Sequence, residues 1–141
     1  MTRLKLDKSF VPRPEDDDDE LFALGVFVFN VTRLLAFVTE NPEKFPLGSI
    51  DLAELPDFGD DNLHEATIAT ADLSRPILQA EISPSVYSVL DGHHRIARAR
   101  RERVTRLPCY RVPFPHHVPF LTSKLAYERY VEYWNSKIRD S

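Results

Sequence analysis

The fold is decided by one stretch of the chain, which has the sequence Val89-Leu90-Asp91-Gly92-His93-His94-Arg95-Ile96-Ala97-Arg98-Ala99. Apolar residues come first, then a carboxylate and a glycine, and then good helix formers such as alanine and arginine. This order predicts a strand that ends near Asp91 and a helix that begins just after Gly92. We expect the working site of the protein at residues 91–95, where the strand is followed by the helix.

The first turn of this predicted helix carries groups that bind anions. The first amides of a helix have no intrahelical acceptor, and the helix dipole places partial positive charge behind them. Gly92 lets a ligand approach the backbone closely, and Arg95 can hold a phosphate with two parallel hydrogen bonds. We therefore predict phosphate contacts from Gly92, His93, His94 and Arg95. Asp91 repels anions, but its carboxylate can hold Mg²⁺, orient a histidine or cap the helix.

Further strands and helices are predicted on both sides of this junction. Alternating or β-branched runs predict strands at residues 67–70, 76–82, 87–90 and 107–112, with a hairpin over residues 76–90. The arginine-rich helix reaches residue 103, and apolar spacing predicts a long amphipathic helix over residues 121–138. This order of elements predicts a small α+β domain with a mixed sheet and packed helices.

The N-terminal half has weaker signals. Residues 1–20 contain an acidic run and no apolar periodicity, which predicts a flexible tail before a single domain at residues 21–141. Apolar residues spaced by three and four predict a helix over residues 21–38, with a strand at residues 25–29 as the alternative. Residues 47–66 are acidic and contain prolines, so we expect mostly loop there.

Composition excludes several classes of protein. The longest apolar stretch, residues 21–38, is interrupted by Asn30, Thr32 and Arg33, so no membrane span is expected. A single cysteine, Cys109, excludes an internal disulfide framework and is typical of a reducing compartment. We expect a cytoplasmic protein in which Cys109 is a core residue rather than a nucleophile.

Charge is distributed unevenly along the chain. Residues 15–82 carry sixteen acidic side chains and three basic ones, whereas seven arginines lie between residues 95 and 111. Arg98 and Arg101 would follow Arg95 along one face of the predicted helix, where a basic stripe can hold nucleic acid. The alternative is that this stripe neutralises the acidic half, within the chain or across a homodimer.

The motif also carries a resemblance to a known family. Residues 89–99 are similar to the signature of the ParB/sulfiredoxin superfamily, in which the motif ends a strand, opens a helix and binds nucleotide phosphates. The match extends over residues 66–112, since Ser74-Arg75-Pro76-Ile77-Leu78 resembles the preceding strand of that fold and Leu107-Pro108-Cys109-Tyr110 the following one. The resemblance therefore adds Ser74 and Arg75 to the predicted phosphate site.

The activities within that superfamily narrow the expected function. Sulfiredoxins carry a reactive cysteine where this chain has His93, so sulfiredoxin chemistry is not expected. Partition proteins bind and hydrolyse CTP, but they add a DNA-binding module for which this chain has too few helices. The motif resembles more closely that of free-serine kinases, which move a phosphate from a nucleotide to a small hydroxyl.

Two function classes follow from this resemblance. In the first, the chain binds ATP, ADP, CTP or a phosphorylated small molecule and moves or hydrolyses a phosphate, with Asp91 or His93 as the base and Mg²⁺ at Asp91. In the second, it is a ligand-sensing or DNA-associated module without turnover.

Two other histidine-containing pairs are weaker sites. His64 and Glu65 lie in an acidic loop from which they could reach the junction. His116 and His117 follow one another in a proline-rich loop, and the spacings typical of zinc sites are absent from the sequence. A nuclease would need several clustered carboxylates, and Asp91 is the only acidic residue in the motif.

Overall fold

The computed structural model of the chain describes residues 3–25 and 27–138. The parts of our predictions that concern residues 1, 2, 26 and 139–141 lie outside these ranges. In chain order the elements are β1 (Leu21–Leu24), β2 (Phe27–Asn30), α1 (Val31–Thr39), β3 (Gly48–Asp51), α2 (Glu65–Thr70), β4 (Ile77–Ser83), β5 (Val86–Asp91), α3 (His93–Arg101), β6 (Arg106–Val112) and α4 (Lys124–Ser136). Short 3-10 helices lie at Leu52–Glu54 and Val118–Phe120. None of the helices described is both long and apolar enough to cross a membrane.

The main sheet has four strands in the order β3-β6-β4-β5. β4 runs antiparallel to β5 and parallel to β6, and β3 pairs antiparallel with β6. β1 and β2 form a separate antiparallel hairpin. The structure thus confirms the predicted α+β class with a small mixed sheet, and it confirms the strands of the 76–90 hairpin and at residues 107–112.

Helices cover both faces of the four-stranded sheet. Along β4, Leu78 and Ala80 belong to an apolar cluster that contains Tyr130 of α4, and residues of α1 and β2 join the same cluster. Ile77 points to the opposite face, where it packs with Ile96 of α3. The alternation of a strand therefore sends successive residues of β4 into two cores. α3 is held against one face, with its first residue next to the end of β5.

The helix predicted over residues 21–38 is wrong in its first half. Gly25 has φ +61° and makes the turn between β1 and β2, where the strand alternative is confirmed in outline. Phe27 and Phe29 are buried in β2, as aromatic strand residues commonly are. The Asn30 side chain then accepts a hydrogen bond from the Arg33 amide at 3.0 Å, and this N-cap starts α1 at residue 31.

Two predictions between residues 47 and 70 are also corrected. Residues 48–51 form the edge strand β3, where we expected loop. Thr67–Thr70 belong to α2 rather than to a strand, although threonine and isoleucine favour strands. Ile68 is the buried residue of α2, and contacts with α3 override the local preference.

The segment predicted as a flexible tail packs against α4. Phe10 lies in the apolar core and stacks on Tyr127, with ring centroids 4.3 Å apart. The Asp7 amide donates to the Tyr127 hydroxyl at 2.7 Å, and the Asn135 side chain bonds both backbone groups of Leu4. Residues 3–20 lack helix and strand, but these contacts hold the segment against α4.

Candidate functional site

The Asp91–Arg95 motif lies at a strand-to-helix junction, as predicted. β5 ends at Asp91, α3 begins at His93, and Gly92 between them has φ +114°. Among the residues described, no side chain caps the N-terminus of α3. The first intrahelical bond runs from the Ile96 amide to the Gly92 carbonyl. In the part of the chain that the structure describes, the amides of residues 93–95 therefore have no backbone acceptor.

Gly92 is required by packing as well as by backbone conformation. A Cβ atom at this position would lie 2.5 Å from Cγ2 of Ile77, the first residue of β4. The φ of +114° is also one that residues with side chains rarely adopt. The backbone of Gly92 lines a cavity, but its missing side chain makes room for Ile77 rather than for a ligand. This corrects the predicted reason for the glycine.

Arg95, which we predicted to hold a phosphate, binds acceptors of the protein itself. Its guanidinium is buried, and Nη1 donates to the carbonyls of Arg75 at 3.1 Å and Pro76 at 2.7 Å. Nη2 forms an ion pair with an Asp91 carboxylate oxygen at 3.0 Å, one helical turn earlier. Arg95 therefore ties α3 to the start of β4 and holds Asp91 in place.

His93 lies half-buried between two phenylalanines. Its ring stacks on Phe22 of β1 with centroids 5.3 Å apart, and it meets Phe58 edge to face at 4.9 Å. Burial lowers the pKa of His93 below 6.5 and outweighs the Asp91 carboxylate, which favours the charged form. The imidazole is therefore neutral at physiological pH, the state in which it can accept a proton.

His94 joins the junction to the loop before α2. Its Nε2 accepts a hydrogen bond from the His64 backbone amide at 3.3 Å. Of the pair His64–Glu65, the backbone of His64 thus reaches the motif. The Glu65 carboxylate instead binds Arg101 at 2.7 Å.

A cavity of about 440 Å³, within the range of small-molecule sites, is bordered by the motif residues Asp91, Gly92, His93 and His94. The motif contributes one wall, the β1 hairpin a second and the loop at residues 58–63 a third. The cavity-lining residues are Glu20, Phe22, Phe58, Gly59, Asp61, Asn62, Leu63, Leu90, Asp91, Gly92, His93 and His94. Sequence reasoning missed the residues outside the motif, because the spacing of residues 21–38 favoured a helix and residues 47–66 lacked any periodicity.

The charge of this cavity is negative. Glu20, Asp61 and Asp91 contribute three carboxylates, and the described residues that line the cavity include no lysine or arginine. Carboxylate oxygens are the ligands that Mg²⁺ prefers, and Mg²⁺ in nucleotide sites takes one or two carboxylates together with phosphate oxygens. These residues therefore fit a magnesium ion that a ligand's phosphates help to hold.

The cavity carboxylates do not form a ready-made metal cluster. Among the residues described, the acidic group with ligand atoms close enough for one ion is Asp16, Asp18 and Asp19, outside the cavity. Asp16 and Asp19 both bind Arg33. The acidic run is thus partly a partner for a cation of the chain itself.

Ser74 and Arg75, the other predicted phosphate contacts, do not line the cavity. The Ser74 hydroxyl donates to the Asp72 carboxylate at 2.6 Å, which together with the Ser74 amide lowers the pKa of Asp72. Arg75 contributes its backbone carbonyl to Arg95. The Arg75 backbone thus supports the motif, whereas Ser74 binds within its own loop.

The predicted basic stripe is occupied by partners within the chain. Arg98 pairs with Glu102 at 2.5 Å and donates to the Ala71 carbonyl. Arg101 binds Asp60 at 2.5 Å and Glu65 at 2.7 Å. This geometry favours the alternative in which the arginines neutralise the acidic half within one chain.

Cys109 and His117 are buried, and His116, next to His117 in sequence, is partly buried. Burial raises the pKa of the Cys109 thiol to about 11, so the thiol is protonated at neutral pH and is a poor nucleophile. His117 is buried and shares a hydrogen bond of 2.8 Å with the Tyr130 hydroxyl. His116 contacts Phe45 edge to face. Neither histidine belongs to a metal-ligand cluster among residues 3–25 and 27–138.

Comparisons with known proteins leave the geometry as the main guide to function. No protein-family model, no curated protein and no solved structure matches this chain. The resemblance of residues 66–112 to the ParB/sulfiredoxin superfamily is therefore a prediction from the motif.

Proposed function

We propose that this chain binds a nucleotide or another phosphorylated ligand together with Mg²⁺ at the β5–α3 junction, and that it transfers or hydrolyses a phosphate there. One observation carries the proposal: the uncapped start of α3 lines a cavity that also contains three carboxylates. Helix amides attract phosphate oxygens, and carboxylates hold the metal ion that accompanies them. The resemblance of the motif to nucleotide-binding ParB/sulfiredoxin domains supports the same assignment.

The charge of the cavity makes the metal ion part of the proposal. Glu20, Asp61 and Asp91 would repel a bare phosphate, and Arg95 is occupied elsewhere. Mg²⁺ neutralises charge on the phosphate oxygens when it is bound. We therefore expect the affinity for nucleotides to depend strongly on Mg²⁺.

Two residues have defined roles in this proposal. His93 is neutral, lines the cavity and is held by Phe22 and Phe58, so it serves as the base that takes a proton from the attacking hydroxyl or water. Asp91 is fixed through its ion pair with Arg95 and contributes carboxylate oxygen to the metal ion. The amides at the start of α3 position the phosphate.

The proposal is tested by calorimetric titration with ATP, ADP, CTP and GTP, with and without Mg²⁺, while released phosphate is measured. We expect submillimolar binding only with Mg²⁺, weakened roughly 10- to 100-fold in Asp61→Asn through loss of a charge-assisted contact. Asp17→Asn is the matched control, since Asp17 lies outside the cavity. Preference for ATP would indicate a kinase-like activity, and preference for CTP a partition-like one.

Turnover is tested separately from binding. His93→Asn should keep nucleotide affinity within a few-fold and lower the rate of phosphate release by about 10²–10⁴. Binding with no phosphate release in the unmodified protein would replace the enzyme by a ligand-sensing module. Absence of binding by any of the four nucleotides would refute the proposed function.

A further inference from the structure

A second cavity, of about 200 Å³, lies on the same sheet face as α3 but next to the edge strand β3. Its walls come from β3, β4, β6 and the 3-10 helix after β3. It shares no lining residue with the first cavity. Its chemistry is therefore independent of the proposed phosphate site.

The amide side chain of Gln79, a buried residue, faces this second cavity with an N–H donor that is not used within the described residues. Gln79 of β4 is only 3% exposed, and its Oε1 accepts a weak hydrogen bond from the Cys109 thiol at 3.6 Å. Across residues 3–25 and 27–138, nothing accepts a hydrogen bond from its Nε2. This N–H donor is free for a ligand that supplies an acceptor in the cavity.

Two side chains of opposite charge, Arg111 and Glu54, also line the cavity. Arg111 of β6 packs its guanidinium 4.2 Å from the centroid of the Tyr87 ring, which restrains the side chain but uses none of its N–H donors. Glu54 contributes a carboxylate from the 3-10 helix. In the described structure neither side chain forms an ion pair. An anionic and a cationic group of one ligand can therefore both find a partner.

The other groups in the cavity limit the ligand further. The volume is below the roughly 300–1,000 Å³ of sites for drug-sized molecules, so the ligand must be small. The Cys109 thiol is neutral because burial raises its pKa to about 11, which makes it a poor ligand for a metal ion.

We propose that this second cavity binds a small zwitterion of the free α-amino acid type. Arg111 holds the carboxylate with charge-assisted hydrogen bonds, and Gln79 Nε2 donates to the same group. The Glu54 carboxylate accepts a hydrogen bond from the ammonium group of the ligand. The ligand thereby supplies an acceptor to Gln79 Nε2 and an opposite charge to Arg111 and Glu54, for which no ion pair is seen in the described part of the fold.

The test is a thermal-shift screen of the twenty free amino acids, followed by calorimetry of those that raise Tm. We expect at least one to bind, with affinity reduced tenfold or more in both Arg111→Gln and Glu54→Gln. Arg129→Gln and Glu43→Gln are matched controls away from the cavity, and both should bind like the unmodified protein. The amide derivative of the same amino acid should bind at least tenfold more weakly, because it lacks the carboxylate.

Two results would overturn the inference. One is that no amino acid raises Tm or gives heat of binding. The other is that binding is unchanged in Arg111→Gln and Glu54→Gln, or is lost in Asp61→Asn instead, which would place the ligand in the first cavity. All of these substitutions are at exposed positions and preserve the core, so each outcome reports on binding rather than on folding.

Discussion

At the scale of single residues, Gly92 combines a φ of +114° with close packing against Ile77. We predict that Gly92→Ala destabilises the protein by roughly 2–4 kcal/mol, from backbone strain plus the clash with Ile77. Urea unfolding measures this change. Gly25→Ala is the matched control, since Gly25 also has positive φ but a Cβ there would meet no atom within 4 Å, so it should cost only the strain. Equal losses in both variants would contradict the packing role.

We predict that the main effect of replacing Arg95 is a loss of unfolding free energy rather than a loss of ligand affinity. Arg95→Ala leaves the Asp91 carboxylate and two backbone carbonyls without their donor, and should cost roughly 2–4 kcal/mol in unfolding free energy. Arg129→Ala removes an exposed ion pair and should cost less than about 1 kcal/mol. An Arg95→Ala protein with unchanged stability and lost nucleotide binding would restore the phosphate-gripping role.

His117 makes the fold sensitive to acid. Burial lowers its pKa from 6.5 to about 4, so the folded state binds a proton less readily than the unfolded chain. Its contribution to stability is complete above pH 6.5 and is lost as pH falls from 6.5 towards 4, by about 3 kcal/mol in total. The unfolding free energy, measured across this pH range, should change less in His117→Phe than in the unmodified protein. The same acid dependence in both proteins would exclude His117 as its source.

At the scale of elements, the local sequence was sufficient to predict helices and strands where turn residues and apolar periodicity agreed. Turn-forming residues at positions 83–85 and at Gly92 separate the elements from β4 to α3. The types and the order of β4, β5, α3 and β6 could therefore be predicted. β1 and β2 could not, because the apolar spacing of residues 21–38 fits a helix and a buried hairpin equally well. Their separation depends on the turn at Gly25 and the cap at Asn30.

The contact between the N-terminal segment and α4 could not be predicted from the local sequence. Phe10 is an isolated aromatic residue in a polar stretch, and its partner Tyr127 lies more than a hundred positions later. We predict that Phe10→Ala lowers the unfolding free energy by roughly 2–4 kcal/mol, as truncation of a core phenylalanine does. Chemical unfolding provides the measurement, with the exposed Val11→Ala as control. A loss below about 0.5 kcal/mol would indicate that residues 3–20 form a tail after all.

At the scale of the whole molecule, the two oppositely charged parts of the chain meet in the structure. Acidic residues such as Asp60 and Glu65, from the loop and start of α2, bind Arg101 of α3. This pairing holds the loop at residues 58–63, one wall of the first cavity, against the helix that forms another. Ion pairs between the acidic and the basic part of the chain thus help to hold the walls of the first cavity together.

The packing of segments that are distant in sequence explains why only part of the site could be predicted. Four residues that the motif placed in the site, Asp91, Gly92, His93 and His94, line the cavity together, because they are consecutive at the strand-to-helix junction. Glu20, Phe22 and the 58–63 loop reach the cavity only through the packing of distant segments. The partners of Arg95 could not be predicted, because the sequence does not show that its guanidinium has acceptors inside the fold.

In the proposed function the start of α3 contacts a phosphate, and amide NMR tests this central claim most directly. Backbone ¹H–¹⁵N spectra of labelled protein would be recorded during titration with ATP and CTP in the presence of Mg²⁺. We expect the largest shifts at the amides of His93, His94 and Arg95, with little change when Mg²⁺ is withheld. Unchanged amides at these three residues in the presence of saturating nucleotide and Mg²⁺, or shifts centred on another part of the molecule, would contradict it.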